Sequence, residues 1–291
     1  MSVLQLRFPW SARIRAPGDV SEVALLAYPV VLQTLAETAM QVIDSALVGR
    51  LGATELGAVG FAGIWIWTLF VPFAGTASGV QTFVSRHDGA GEHERCGPWL
   101  WHAARLVVPA IALWAVVIAL FLPGLIAWIG PSPELQRSAV RYGLARLPGA
   151  PAVAANFVLT AFFRGIGDTR TPLKASLAGV TVNIAFAWML IFGHLGAPAL
   201  GVAGAGLAIS AGSWTITGVL ALAALRRPLR DRYRTAPCPL DRPAARRFLH
   251  TAAPIGGQWL LEMTSFAVFT SIVARMGDVS MAASQAMLQL L

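Results

Sequence analysis

Residues 27–58, AYPVVLQTLAETAMQVIDSALVGRLGATELGA, reappear 225 positions later as AAPIGGQWLLEMTSFAVFTSIVARMGDVSMAA, residues 252–283. No gap is needed, and nine of the 32 positions are identical. Two unrelated apolar helices would share leucine, alanine and valine. They would rarely share Pro29/Pro254, Gln33/Gln258, Glu37/Glu262, Arg50/Arg275 and Gly52/Gly277 in one register. The segment is therefore an internal repeat, and the chain between the copies is one repeat unit long.

Apolar blocks fill that unit. The 291 residues are 56% hydrophobic and 12% charged, about half the charge of a soluble domain. A bilayer-spanning helix needs about 20 mainly apolar residues. Seven segments meet this: 22–48, 56–84, 100–128, 142–163, 172–193, 202–225 and 249–274, and an eighth begins near 280. Strands of a membrane barrel would be about 10 residues long and alternating, a pattern this chain lacks. The expected fold is all-α, a polytopic membrane protein. Six spans separate the repeat copies, so both copies cross in the same direction, a parallel repeat about an axis along the membrane normal.

Charge sets the orientation. With alternate loops assigned to one side, sixteen Lys and Arg fall with the N-terminus, eight of them between Arg226 and Arg247, and five fall opposite. Basic loops stay in the cytoplasm, so the net charge of +8 reports topology rather than nucleic-acid binding. Expected units are a cytoplasmic N-terminal segment (1–21), a complete six-helix lobe (22–225), a basic cytoplasmic linker (226–248) and the beginning of a second lobe (249–291). That last unit holds helix seven and the start of helix eight, so the chain reads as truncated within its second lobe. Cys96 and Cys238 lie in separate basic loops, with no disulfide framework.

Ionisable groups within the spans are few, and each costs roughly 2.5–3.5 kcal/mol on insertion scales. Gln33, Glu37, Gln41 and Asp44 fall within about 80° on one face of the first span. Glu37 and Asp44 are about 10 Å apart along its axis. Such a stripe faces a bundle interior or a water-filled cavity. Its carboxylates either bind H⁺ or Na⁺ or serve a structural hydrogen-bond network, and the cation site is the reading carried forward. Gln258 and Glu262 repeat the pattern, but Phe269 stands where an aspartate would recur. Asn156 and Asn183, mid-span, either line a cavity or bond across helices. Pro29 and Pro254 each remove a backbone hydrogen bond and are candidate kinks. Gly204, Ala208 and Gly212 make a small-residue ridge for close helix packing. Trp65, Trp67, Trp99, Trp101 and Trp128 read as interfacial belt residues. The loop RHDGAGEHERC (86–96) has metal-like composition without a zinc spacing, so no metal site is expected. No nucleophile, base and metal set clusters within the spans, which argues against an enzyme.

Several motifs together resemble one family. VIDSALVGRLGATELGAVG (42–60), FFRGIGDTRTPL (162–173), VNIAFAWMLIFG (182–193), LGVAGAGLA (200–208) and TAAPIGGQWLLEM (251–263) look like the multidrug and toxic compound extrusion (MATE) transporters, nearest the DinF-like bacterial branch. The resemblance covers about residues 20–291. It implies twelve helices in two six-helix lobes in the bacterial inner membrane. It also implies antiport of H⁺ or Na⁺ against cationic or amphipathic drugs, with no other cofactor and a monomeric full-length protein. On it, Asp44 matches the amino-lobe cation site, Asn183 a nearby helix-five asparagine, and Glu262 an acidic residue of the second-lobe site. Ala187 stands where many relatives carry a further aspartate. The alternatives are a lipid-intermediate flippase of the same superfamily and a non-transporting fragment.

Overall fold

The computed structural model describes residues 20–276 together with 280, 281, 283, 284 and 287. Residues 1–19, Gly277 and most of the expected eighth span lie outside the described residues. All regular structure among those described is helical: α1 (Val20–Gly49), α2 (Ala53–Ser78), α3 (Val80–Gly89), α4 (Cys96–Ile129), α5 (Pro133–Arg146), α6 (Ala150–Gly165), α7 (Arg170–Phe192), α8 (Val202–Ala224), α9 (Arg227–Tyr233) and α10 (Arg242–Ala274). Four stretches are long and apolar enough to cross a membrane by length and composition alone: Ala53–Gly89, His93–Ile129, Arg170–Phe192 and Val202–Ala224. Helices α1 and α10 have the length, but α1 carries the polar stripe and α10 opens on a basic turn. The protein is a polytopic helical membrane protein.

The fourth expected span differs from its reading. A helix already begins at Pro133, nine residues ahead of the expected span 142–163. Ser132 caps it, its hydroxyl accepting from the Leu135 amide at 3.3 Å, with Pro133 in the first helical turn. That is the ordinary start signal of a helix, and hydropathy does not see it. A 3-10 turn at Leu147–Gly149 then divides α5 from α6, because Pro148 has no amide to continue the ladder. Helices α1 and α10, by contrast, run unbroken through Pro29 and Pro254.

Small residues fix the packing around α7. A Cβ on Gly204 would lie 2.6 Å from the Leu190 backbone, and one on Gly212 would lie 3.0 Å from Asn183 Cβ. The expected Gly204–Ala208–Gly212 ridge is thus the face of α8 that α7 rests on, and Ala208 is fully buried. The position sums of these contacts stay nearly constant, so α7 and α8 run antiparallel.

Helix α10 lies antiparallel along α2. A Cβ on Gly256 would meet Pro72 O at 2.2 Å and Thr76 Oγ1 at 2.6 Å, and one on Gly79 would meet Ala252 Cβ at 2.5 Å. Further along, Trp65 Nε1 donates to Ser271 Oγ at 3.0 Å. At the far end Arg275 Nε donates to the Ile129 carbonyl at 2.8 Å, bringing the ends of α4 and α10 to one face. Trp65 is therefore a helix–helix residue, not a belt residue. Trp99 likewise stacks on Phe83 at 4.2 Å and is buried, whereas Trp128 is exposed.

The stretch that follows α9 is clasped to α4 and α8. Tyr233 is buried, and Thr235 Oγ1 donates to Ala224 O while Trp101 Nε1 donates to Thr235 O at 2.9 Å. Arg234 pairs with Glu94 at 2.7 Å. The metal-like loop pairs with itself: His87 with Glu92 and His93 with Asp88, each at 2.8 Å. The hydrogen bond from His87 holds the Glu92 carboxyl below its usual range, and burial pushes the Tyr233 phenol up to about 12.

Candidate functional site

Helices α1 and α7 meet along the polar stripe. Asn183 Nδ2 donates to both Asp44 oxygens, at 3.0 and 2.8 Å. Two turns earlier on each helix, Ser176 Oγ donates to Glu37 Oε1 at 3.0 Å. Both contacts span 139 positions in sequence. A constant offset requires the helices to run parallel.

Gln33 continues the ladder beyond Glu37. Its Nε2 donates to Glu37 Oε1 at 3.0 Å, and its Oε1 accepts from an Arg164 terminal nitrogen at 3.1 Å. The ladder thus joins α1, α6 and α7. Gly212 of α8 supports it from behind, because close approach there presses the fully buried Asn183 toward α1. Among the described residues nothing donates to the buried Asn183 Oδ1. Asp168 holds the entry to α7: its carboxylate accepts from the Arg170 and Thr171 amides and from Thr171 Oγ1, at 2.6 to 3.1 Å.

Three of the four stripe residues face α7 or α6. Gln41 does not; it is exposed, since at about 80° it lies furthest round the helix from Gln33. Of the two readings of Asn156, the bond across helices is the one its contacts show. Its side chain donates to Ser213 O at 3.3 Å and accepts from Thr217 Oγ1 at 2.6 Å, tying α6 to α8. Gln258 and Glu262 are exposed on α10, away from its α2 face, and make no hydrogen bond or ion pair among the described residues. The structure does not bring them to the α1–α7 ladder. Ser176 and Arg164 were missed as site residues. Ser176 had a signal, since it stands seven before Asn183 as Glu37 stands seven before Asp44. Among the described residues no cluster of His, Cys, Asp and Glu could hold a metal ion.

A family model, MatE, matches residues 29–189, a stretch that contains the whole ladder. The chain belongs to the MatE family. Among curated MatE relatives, the probable multidrug resistance protein NorM of Bradyrhizobium diazoefficiens is 31% identical over 276 residues, 92% of this chain and 58% of the relative. The multidrug resistance protein PmpM of Pseudomonas aeruginosa is 30% identical over 207 residues, 71% of this chain and 43% of its own. The chain spans about half the length of the curated relatives it matches. Solved structures share the fold. A eukaryotic MATE transporter superposes with a TM-score of 0.76 at 19% identity, over 87% of this chain and 56% of that one. An inward-facing multidrug resistance MATE transporter gives 0.73 at 20%, over 91% and 60%. MatE proteins are transporters, not enzymes.

Proposed function

We propose that this chain carries the amino-terminal machinery of a cation-coupled antiporter. It exports cationic or amphipathic drugs and toxic compounds across the bacterial inner membrane by alternating access. The observation that carries the reading is the ladder of two carboxylates on one helix, each held by a hydroxyl or amide of a second helix. Carboxylates inside a bilayer mark ion pathways by default. Neutral donors can hold them without cancelling their charge, so a cation can still bind. The names of the relatives, multidrug resistance proteins, agree with this reading. A lipid pyrophosphate flippase would want a strongly cationic cavity, and the ladder is acidic over most of its length.

Antiport needs ion and drug to bind competing states. The coupling ion, H⁺ or Na⁺, belongs at Asp44 with Asn183 and Glu37, and Glu262 with Gln258 attracts substrate on the second-lobe side. Glu262→Gln should then weaken binding of cationic drugs several-fold more than of neutral ones, and leave ion release on drug addition largely intact. Ion release measured on the purified protein tests this. Release lost in Glu262→Gln but kept in an Asp44 variant would reverse the two roles.

The orientation is part of the proposal: N-terminus and linker (226–248) in the cytoplasm. Cys238 in the linker is partly exposed. It should resist an impermeant maleimide in intact cells and react once the membrane is opened. Labelling in intact cells would place the linker outside.

A further inference from the structure

We propose that Arg164 is a tethered competitor for the Glu37 carboxylate, an internal organic cation that an incoming cationic substrate must out-compete. The inference rests on the reading of the stripe as a cation site and adds what sets its affinity.

Arg164 stands in the last turn of α6, fixed there by close contact of Gly165 with Val84, where an added Cβ would lie 2.8 Å from the Val84 side chain. The next carboxylate in sequence, Asp168, is already engaged by the start of α7. The guanidinium instead reaches across to α1 and binds Gln33, whose amide hands the interaction on to Glu37. A structural ion pair would close directly, with the bidentate geometry that guanidinium and carboxylate favour. Here one neutral amide stands between the charges. Arg164 Nε is buried and, among the described residues, without a partner. The cation is therefore near its carboxylate but not seated on it.

This arrangement has a function that plain helix stapling does not. A positive charge parked beside Glu37 offsets the field that would draw in a second cation. A planar guanidinium and an organic ammonium or phosphonium ion are alike in kind: delocalised or shielded, and weakly hydrated. A substrate of that class can take the carboxylate when the Gln33 bridge swings away with Arg164. Glu37 then exchanges a nearby internal cation, held off by the Gln33 amide, for an external one seated directly on it. Neutral compounds gain nothing from the exchange, so Arg164 sets discrimination between charged and uncharged ligands.

The test is equilibrium binding of tetraphenylphosphonium and of uncharged N-phenyl-1-naphthylamine to the purified, detergent-solubilised protein. A unit charge this close to a half-buried carboxylate shifts cation affinity on the order of tenfold. Arg164→Gln should therefore bind tetraphenylphosphonium about tenfold more tightly, with the neutral probe unchanged. Arg164→Lys, which keeps the charge, should return toward wild-type affinity. In a Glu37→Gln background the gain should vanish. A merely structural arginine predicts loss, not gain, for both probes. Unchanged or weaker tetraphenylphosphonium binding in Arg164→Gln, or an equal gain for the neutral probe, overturns the inference. If that failure comes with wild-type binding that still depends on Glu37, the cation-site reading stands and only the role of Arg164 falls. If binding is indifferent to both Glu37→Gln and Asp44→Asn, the cation-site reading fails and this inference with it.

Discussion

Asp44→Asn should reduce drug efflux in everted vesicles to the level of vesicles lacking the protein, while the variant still folds and inserts. The geometry explains both halves of that expectation. Asn183 Nδ2 donates to both Asp44 oxygens. An asparagine at 44 keeps one of those oxygens and the same side-chain volume, so one bond of the pair survives. The loss to stability is about 1.5–3 kcal/mol, the range for a hydrogen bond to a charged group. On the proposed mechanism, what disappears is the negative charge that takes up the coupling ion. Under that proposal the drug then has no ion to exchange against. Near-normal efflux with its usual dependence on the ion gradient would remove Asp44 from the mechanism.

The second large effect concerns stability. Gly256→Val should destabilise the protein by roughly 2–3 kcal/mol or more, whereas Gly257→Val, one residue along, should be nearly silent. A Cβ on Gly256 would meet the Pro72 carbonyl at 2.2 Å, and Thr76, bonded to that carbonyl, stands beside it. Neither can retreat without moving α2. A Cβ on Gly257 would meet nothing within 4 Å. Thermal unfolding of the two purified variants in one detergent makes the comparison. Equal losses, or none at either site, would show that α10 is not seated on α2 by this glycine.

Much of this architecture is legible in sequence, for identifiable reasons. The α1 stripe shows because Glu37 and Asp44 are rare residue types for a bilayer, and their spacing alone puts them on one face. The α8 ridge shows because Gly204, Ala208 and Gly212 repeat at one helical turn. The repeat orders the whole chain because it keeps proline, glutamine and arginine that apolar drift would not keep. What stays hidden is partnership between distant segments. Nothing in the local sequence of Arg164 distinguishes a loop charge that reports topology from a side chain that reaches Gln33, 131 positions earlier. Asn156 and Gln41 stay ambiguous in sequence for the related reason that mid-span polarity states a need for a partner without saying which. Trp65 fails as a belt residue because its indole N–H finds Ser271 on a helix 206 positions away. The start of α5 is a different case: Ser132 and Pro133 stand in the sequence as a capping signal that hydropathy does not register.

The equal spacing of the α1–α7 contacts has a mechanical meaning. Ser176 and Asn183 are seven apart on α7, as Glu37 and Asp44 are on α1. The two helices therefore engage like a short rack with two teeth. A slide of α1 by one turn, about 5.4 Å, takes both teeth out of register together, and a rotation of α1 carries both carboxylates away from α7 at once. Neither contact can open through a slide of α1 along its axis, or a rotation about that axis, while the other stays shut. Two acidic groups about 10 Å apart thus share one degree of freedom. A cation arriving at either one changes the balance for both, with no need for the two charges to touch.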